Sequence, residues 1–263
     1  MNTLRRIPAV FVFEWRRALS VPRLAWLVAL MAFPPALLLL IRSVGPPQDP
    51  PLEVAAILIY ILSPCVACMM SVLLWATPVL SSELEGRSWV YLAVRPYGPM
   101  AVLLGKYLVA VSWSLPVGLF SAIAGVLVFQ REHTAQLIAA ETGLVALSCL
   151  SYSAIFLLIG VIAPKRAMVT AILYAVVFEI ALALIPAAVN LLTVQYRLRC
   201  LLVRWTDMES SMTEGNPVFA AYFGDESATW HVSMLLGMTV AYLLAAALLL
   251  RYREFTMATE TDN

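Results

Sequence analysis

Charged side chains are scarce in this sequence. Asp, Glu, Lys and Arg make up only 13% of the 263 residues, whereas 62% of the residues are hydrophobic. A water-soluble domain usually carries about 25% charged and about 45–50% apolar residues. A chain of this length cannot bury so large an apolar excess in a soluble core. The composition therefore excludes an ordinary soluble fold and indicates that lipid solvates part of the surface.

The sequence also has almost no excess of basic residues, and it has few cysteines and histidines. The net charge of +1 excludes the strongly basic surface that is typical of nucleic-acid binding. The four cysteines lie mostly in apolar runs, where cysteine behaves as a small hydrophobe, so they predict no disulfide framework. The spacing of Cys65 and Cys68 suits a metal, but within an apolar run we interpret them as small residues for helix contact. We expect the two histidines, His133 and His231, to be solvated or interfacial rather than metal ligands.

Long apolar runs dominate what remains. A membrane span needs about 20 mostly apolar residues. Six stretches qualify, at about Leu24–Ile41, Val54–Leu80, Ala101–Phe129, Leu137–Ala163, Ala167–Val194 and His231–Leu250. Pro34 and Pro35 predict a kink in the first of them. We therefore predict an all-α polytopic protein with a single membrane domain over residues 1–263, in which residues 23–250 form a bundle of six helices.

The distribution of basic residues predicts the orientation of this bundle. With both termini inside, twelve of the 17 Lys and Arg residues fall in inner segments and five in outer segments. Cytoplasmic loops carry such an excess of basic residues. We therefore expect both termini in the cytoplasm, with residues 251–263 forming a cytoplasmic tail.

The N-terminal segment, residues 1–22, combines basic and apolar residues at helical spacing. Ile7, Phe11, Trp15 and Leu19 recur along it, and arginines lie between them. This pattern predicts a helix that lies in the membrane interface, with its arginines among anionic headgroups. A basic tail that only sets the topology is the alternative. Charges interrupt any early apolar region, so we expect a retained segment rather than a cleaved signal peptide.

The outer segment from about Gln195 to Trp230 carries two helical patterns. Leu198, Leu201, Leu202 and Trp205 have helical spacing, and Asn216-Pro217 to Gly224 has the cap, first-turn proline and terminal glycine of a short helix. Because the second pattern is almost wholly apolar, we expect it to dip into the outer leaflet or to pack on the bundle. A plain folded loop is the alternative.

The inner segment from Ser81 to Lys106 is the most informative. Ser82 and Glu85 have the spacing of a capping box, which predicts that a helix begins there. The alternative continues the second span through Glu83 and turns at Gly86. In both cases a short amphipathic helix runs to Pro96, between two spans, where a soluble partner could grip it. An ordinary charged loop is the remaining interpretation.

This inner segment resembles the first cytoplasmic loop of ABC-2 type permeases. The resemblance rests on Glu83-x-Glu85-Gly86-Arg87, a short helix that ends at Arg95-Pro96, and Leu103-Leu104-Gly105-Lys106 at the start of the third span. It implies a coupling helix that docks on a separate ABC ATPase subunit, and a dimer with a second copy or a paralogue. The docking residues would be Glu83, Glu85, Gly86, Arg87, Arg95 and Pro96. Lys106 would anchor the third span at the membrane edge.

No ATPase site is expected in this chain. Six residues separate Gly98 from Gly105, whereas a phosphate-binding loop has four, and Tyr107 replaces the Ser or Thr that would hold magnesium. The resemblance therefore implies that ATP and Mg²⁺ bind to the partner, in a prokaryotic plasma (inner) membrane. We expect no catalytic residue and no metal site. An ion-gradient-driven secondary transporter and a non-transporting anchor subunit are the alternative functions.

One carboxyl group lies in the middle of a predicted span. Glu179 sits between Phe178 and Ile180, where an ionised carboxylate costs several kcal/mol, so we expect it to be protonated, paired or facing a cavity. It is a candidate for the transport pathway or its gate, and Asn190 is a weaker one. A purely structural role is the alternative, in which a neutral carboxyl is hydrogen-bonded to a neighbouring helix. We expect Glu141 to be interfacial.

Overall fold

The computed structural model describes residues 3–45, 50–85, 98–129, 133–181, 188–208, 223 and 226–252. Across these ranges the regular elements are all helical, as the composition predicts. The helices are α1 (Thr3–Ala18), α2 (Val21–Val44), α3 (Leu52–Tyr60), α4 (Met69–Glu85), α5 (Gly98–Phe129), α6 (Thr134–Ile162), α7 (Ala167–Tyr174), α8 (Val194–Trp205) and α9 (Ala228–Tyr252). Two π-helical segments, Ile61–Cys68 and Ala175–Ala181, continue α3 into α4 and extend α7.

Five of the described helical stretches are long and apolar enough to cross a membrane. They are Val21–Val44, Leu52–Thr77, Pro99–Phe129, Thr134–Ile162 and Ala228–Tyr252. Each coincides with a stretch predicted as a span. The remaining predicted span, Ala167–Val194, is described as the short helix α7, the π segment and the 3-10 turn Ala188–Leu192, with a gap at residues 182–187. The sixth span therefore stays a prediction.

Helix α6 is the centre of the bundle. In its most apolar stretch 78% of the residues are buried, against 17% in α2 and in α9. It packs against α3, α4, α5, α7, α8 and α9. Its largest fully buried side chains include Tyr152, Phe156 and Leu157. The apolar outer faces of α2 and α9 are left for lipid or for another protein chain, because water would not solvate them.

Prolines within the spans have different local effects. Helix α2 continues through Pro34 and Pro35, and both are buried. At Pro64 the second span widens into the π segment Ile61–Cys68. The hydroxyl of Ser148 donates a hydrogen bond of 2.8 Å to the Pro64 carbonyl and so ties this segment to α6. The same span then continues as α4 to Glu85, as the second interpretation of the inner segment predicts.

The outer segment contains one of the two predicted helices. Helix α8 covers the pattern of Leu198, Leu201, Leu202 and Trp205, and its three leucines are buried against the bundle. The predicted short helix at residues 216–224 lies outside the described residues, apart from Phe223. The expectations for His231 and Glu141 were wrong, since both side chains are 0% exposed. His133, by contrast, is exposed.

Candidate functional site

The predicted docking stretch is described only at its edges. Glu83 and Glu85 lie in the last turn of α4, and residues 86–97, with Gly86, Arg87, Arg95 and Pro96, lie outside the described residues. Described helices flank this stretch on both sides, α4 before it and α5 after it, and they pack against each other. Residues 86–97 therefore connect two helices that are in contact with each other.

Lys106 contacts the N-terminal helix. Its side chain is 1% exposed, and its Nζ lies 3.7 Å from Oε1 of Glu14 on α1. At the preceding position a Cβ on Gly105 would come within 2.7 Å of Val10, so α1 crosses α5 where the chain carries no side chain. Lys106 therefore pairs with the N-terminal helix inside the protein. Its role as an anchor at the membrane edge stays a prediction.

Three tryptophans join α1 to the helices that flank the docking stretch. Trp113 of α5 stacks on Trp15 of α1 at 5.2 Å between ring centroids and on Trp75 of α4 at 4.7 Å. The guanidinium of Arg23, in the first turn of α2, lies 5.6 Å from the Trp75 ring centroid. Such stacked aromatic pairs add about 0.5–1.5 kcal/mol beyond their buried area. We call the three stacked residues Trp15, Trp75 and Trp113 the tryptophan clamp. The clamp connects α1, α4 and α5.

The predicted pathway residue Glu179 is the centre of a hydrogen-bond network. Its side chain is buried and accepts four hydrogen bonds. One carboxylate oxygen accepts from the Tyr174 hydroxyl at 2.7 Å and from the Val194 amide at 3.3 Å. The other accepts from the Tyr152 hydroxyl and from the Gln195 amide, both at 3.0 Å. These hydrogen bonds come from neighbouring helices, as the structural alternative for Glu179 describes.

Glu179 and Asn190 each bond to residues at the start of α8. Val194 and Gln195 are the first two residues of that helix, and their amides have no partner within it. Thr193 caps the helix by accepting from the Tyr196 amide at 3.2 Å, and its hydroxyl donates to the Asn190 carbonyl at 2.9 Å. The first three amides of α8 are therefore all satisfied. A carboxylate at this position also lies at the positive end of the helix dipole.

A directed chain of hydrogen bonds extends the network to the second span. Tyr60 donates to the side-chain oxygen of Gln195, and the side-chain nitrogen of Gln195 donates to the Tyr152 hydroxyl at 2.8 Å. Because that hydroxyl accepts one hydrogen bond, its own proton points to the Glu179 carboxylate. The π segment Ala175–Ala181, the end of α3, α6 and α8 thus meet at one buried carboxyl group.

The donor set is the one that an ionised carboxylate needs. Four donors point at its two oxygens, and the two backbone donors cannot reverse direction. These hydrogen bonds favour the charged form, and burial away from water opposes it. The arrangement supports a structural role for Glu179 as the cap of α8. Its predicted role in a transport pathway stays a hypothesis.

A second polar cluster ties α8 to the start of α9. Arg197 is buried, and its guanidinium lies 3.2 Å from Nδ1 of His231 and donates to the Leu191 carbonyl at 3.2 Å. An arginine always donates, so Nδ1 of His231 must be the acceptor. The other ring nitrogen then carries the proton, and it lies 3.9 Å from the Glu226 carboxylate. This geometry fixes one neutral tautomer of His231.

Sequence reasoning missed Glu14, Tyr152 and Gln195. Glu14 carried a usable signal: it lies on the face of α1 that also holds Phe11 and Ala18, at helical spacing, and a carboxylate on an apolar face implies an interior cation. Tyr152 and Gln195 carried no such signal. Their roles arise because distant segments meet around Glu179.

Comparison with known proteins adds no relative: no family model, no curated protein and no solved structure matches this chain.

Proposed function

We propose that the chain is the permease subunit of an ABC-2 type transporter, in which a separate ATPase subunit docks on the inner segment between the second and third spans. The substrate would be exported with energy from ATP that the partner hydrolyses. The observation that carries the proposal is the tryptophan clamp. It joins α4 and α5, the two helices that flank the docking stretch. In the proposed mechanism a force on residues 86–97 would therefore displace both helices together.

The sequence pattern and the clamp support each other. The pattern Glu83-x-Glu85-Gly86-Arg87 resembles the docking segment of the family, and Gly105-Lys106 resembles its third-span entry. Those last two residues are where α1 crosses α5, through the close approach of Val10 and the ion pair with Glu14. In the proposed assembly the entry motif therefore has a physical purpose, because it fixes the N-terminal helix to the moving span.

The remaining parts of the proposal concern topology and assembly. We propose six spans, the sixth formed by the stretch around residues 167–194, and a plasma-membrane location with both termini in the cytoplasm. The twelve-to-five bias of basic residues supports this orientation. We also propose a dimer of permease subunits, since a single six-span half rarely encloses a pathway alone. The exposed apolar faces of α2 and α9 offer surface for such an assembly.

Co-purification of the detergent-solubilised complex tests the proposal. The wild-type chain is expected to bring down a subunit with a nucleotide-binding motif, identified by mass spectrometry, and with it ATPase activity. Combining Glu85→Ala with Arg87→Ala removes two predicted docking charges. This double variant should express and fold normally but lose most of the co-purified ATPase.

A matched control is available at the opposite end of the second span. Glu53→Ala changes one carboxyl in the first turn of α3, far along the helix from Glu85, and should leave the co-purified ATPase unchanged. If the docking variant retains the ATPase and its activity in full, the docking assignment is wrong. If the wild-type chain brings down no nucleotide-binding subunit, the ABC proposal itself is wrong.

A secondary transporter driven by an ion gradient is the second candidate. Such a protein uses ionisable groups inside the bundle, and the structure buries two carboxyls, Glu179 and Glu141, in or beside its spans. Transport by the purified chain alone, in vesicles with an imposed pH gradient and no nucleotide, would favour this candidate over the ABC permease.

A further inference from the structure

Glu141 is a buried carboxyl group that accepts no hydrogen bond from the described residues. It lies in α6, and its side chain is 0% exposed. Among the described residues, neither of its carboxyl oxygens has a hydrogen-bond partner. Glu179, by contrast, accepts four hydrogen bonds, so these two buried carboxyl groups have opposite surroundings. Buried polar groups in folded proteins nearly always have a hydrogen-bond partner, so Glu141 is an exception among the described residues.

Its place on α6 shows that Glu141 faces the interior of the protein. It is seven residues before Ser148 and eleven before Tyr152, which puts all three on one face of the helix. Ser148 donates to the Pro64 carbonyl, and Tyr152 to Glu179. Glu141 is thus the outermost member of a polar stripe that faces the second span and α8. It lies about 10 Å in from the start of α6.

An ionised carboxylate at this position would receive no hydrogen bond from the described residues. Removing a carboxylate from water costs several kcal/mol unless a cation or hydrogen bonds compensate. Charged or titratable side chains on the elements that pack against this half of α6 include Tyr60, Cys68, Arg199, Arg204, Asp207 and His231. Within the described part of the chain none of them bonds to the Glu141 carboxyl. The neutral, protonated carboxyl is the form that this environment tolerates.

We propose that Glu141 is a proton-binding site that holds one proton in the conformation described here. The ligand is the proton itself, bound to a carboxyl oxygen that the bundle shields from water. A movement of α6 against α8 that admits water or a basic side chain would release the proton. The site would thereby link the conformation of the bundle to pH. This inference does not depend on the proposed ATP-driven function, because it concerns the isolated chain.

The first test is the infrared spectrum of the purified chain at neutral pH. A protonated carboxyl absorbs as a C=O stretch, separate from the bands of an ionised carboxylate, and this stretch shifts in ²H₂O. The difference spectrum between the wild type and Glu141→Gln should show the loss of one protonated C=O band. Glu53→Gln is the matched control, because this half-buried carboxyl in the first turn of α3 should remove only carboxylate bands.

The second test is the pH dependence of unfolding in mixed micelles. If the folded chain binds a proton that the unfolded chain has released, the ratio of folded to unfolded protein falls by up to about tenfold for each unit of rising pH. This slope is expected in the wild type relative to Glu141→Gln, and Glu53→Gln should keep it.

Two results would overturn the inference. The loss of carboxylate bands instead of a C=O band in Glu141→Gln would show an ionised Glu141. Parallel pH profiles of the wild type and Glu141→Gln would show that folding does not retain the proton.

Discussion

The replacement of Glu179 by glutamine gives the most direct test of the network around α8. The substitution keeps the size of the side chain but exchanges one acceptor oxygen for an NH₂ group. Whichever way the amide is turned, this NH₂ faces a backbone N–H, of Val194 or of Gln195. A backbone donor cannot become an acceptor, so at least one hydrogen bond is lost, and the charge that complements the helix dipole is lost with it.

The magnitude follows from these losses. A hydrogen bond to a charged group contributes about 1.5–3 kcal/mol, and a charge at a helix terminus about 0.3–2 kcal/mol. We therefore expect Glu179→Gln to lower the free energy of unfolding by about 2–5 kcal/mol. Tyr174→Phe removes only one of the four donors to the carboxylate and should cost about 1.5–3 kcal/mol. Glu53→Gln, near the surface, should cost less than about 0.5 kcal/mol.

Equilibrium unfolding in mixed micelles, followed by a thiol-reactive dye, measures these values. The buried thiols of Cys68, Cys149 and Cys200 report the loss of packing. Burial raises the pKa of the Cys200 thiol, on α8 outside the apolar spans, to about 11, so that the thiol is unreactive while the chain is folded. A Glu179→Gln variant as stable as the wild type would refute the capping role. If that variant also lost activity, Glu179 would instead belong to the transport pathway.

Two further predictions concern the other buried pairs. Glu14→Gln and Lys106→Met should each lower the free energy of unfolding by about 1.5–3 kcal/mol, because each removes one charged contact between α1 and α5. The double variant should lose less than the sum of the two, and additive losses in the dye assay would contradict the pairing. Arg197→Met should release His231 from its fixed tautomer, and a change in the ¹⁵N shifts of the imidazole would reveal this, whereas unchanged shifts would show that Arg197 does not set the tautomer.

Much of the helical framework could be predicted from local properties of the sequence. Apolar runs of span length predicted all five long helices, because a helix that is solvated by lipid needs little beyond length and apolar composition. The spacing of Leu198 to Trp205 predicted α8 in the same way. The continuation of the second span to Glu85 remained undecided, since Ser82 suits both a helix start and a helix interior.

The surroundings of the polar residues could not be predicted, because residues far apart in the chain create them. Glu14 and Lys106 pair across two helices, and the donors to Glu179 come from α6, α7 and α8. For the same reason Glu141, expected at the interface, is fully buried. The sequence by itself determined which stretches are helical and apolar. Only the tertiary structure decided which carboxyl groups have partners, because burial and hydrogen bonding depend on which helices come into contact.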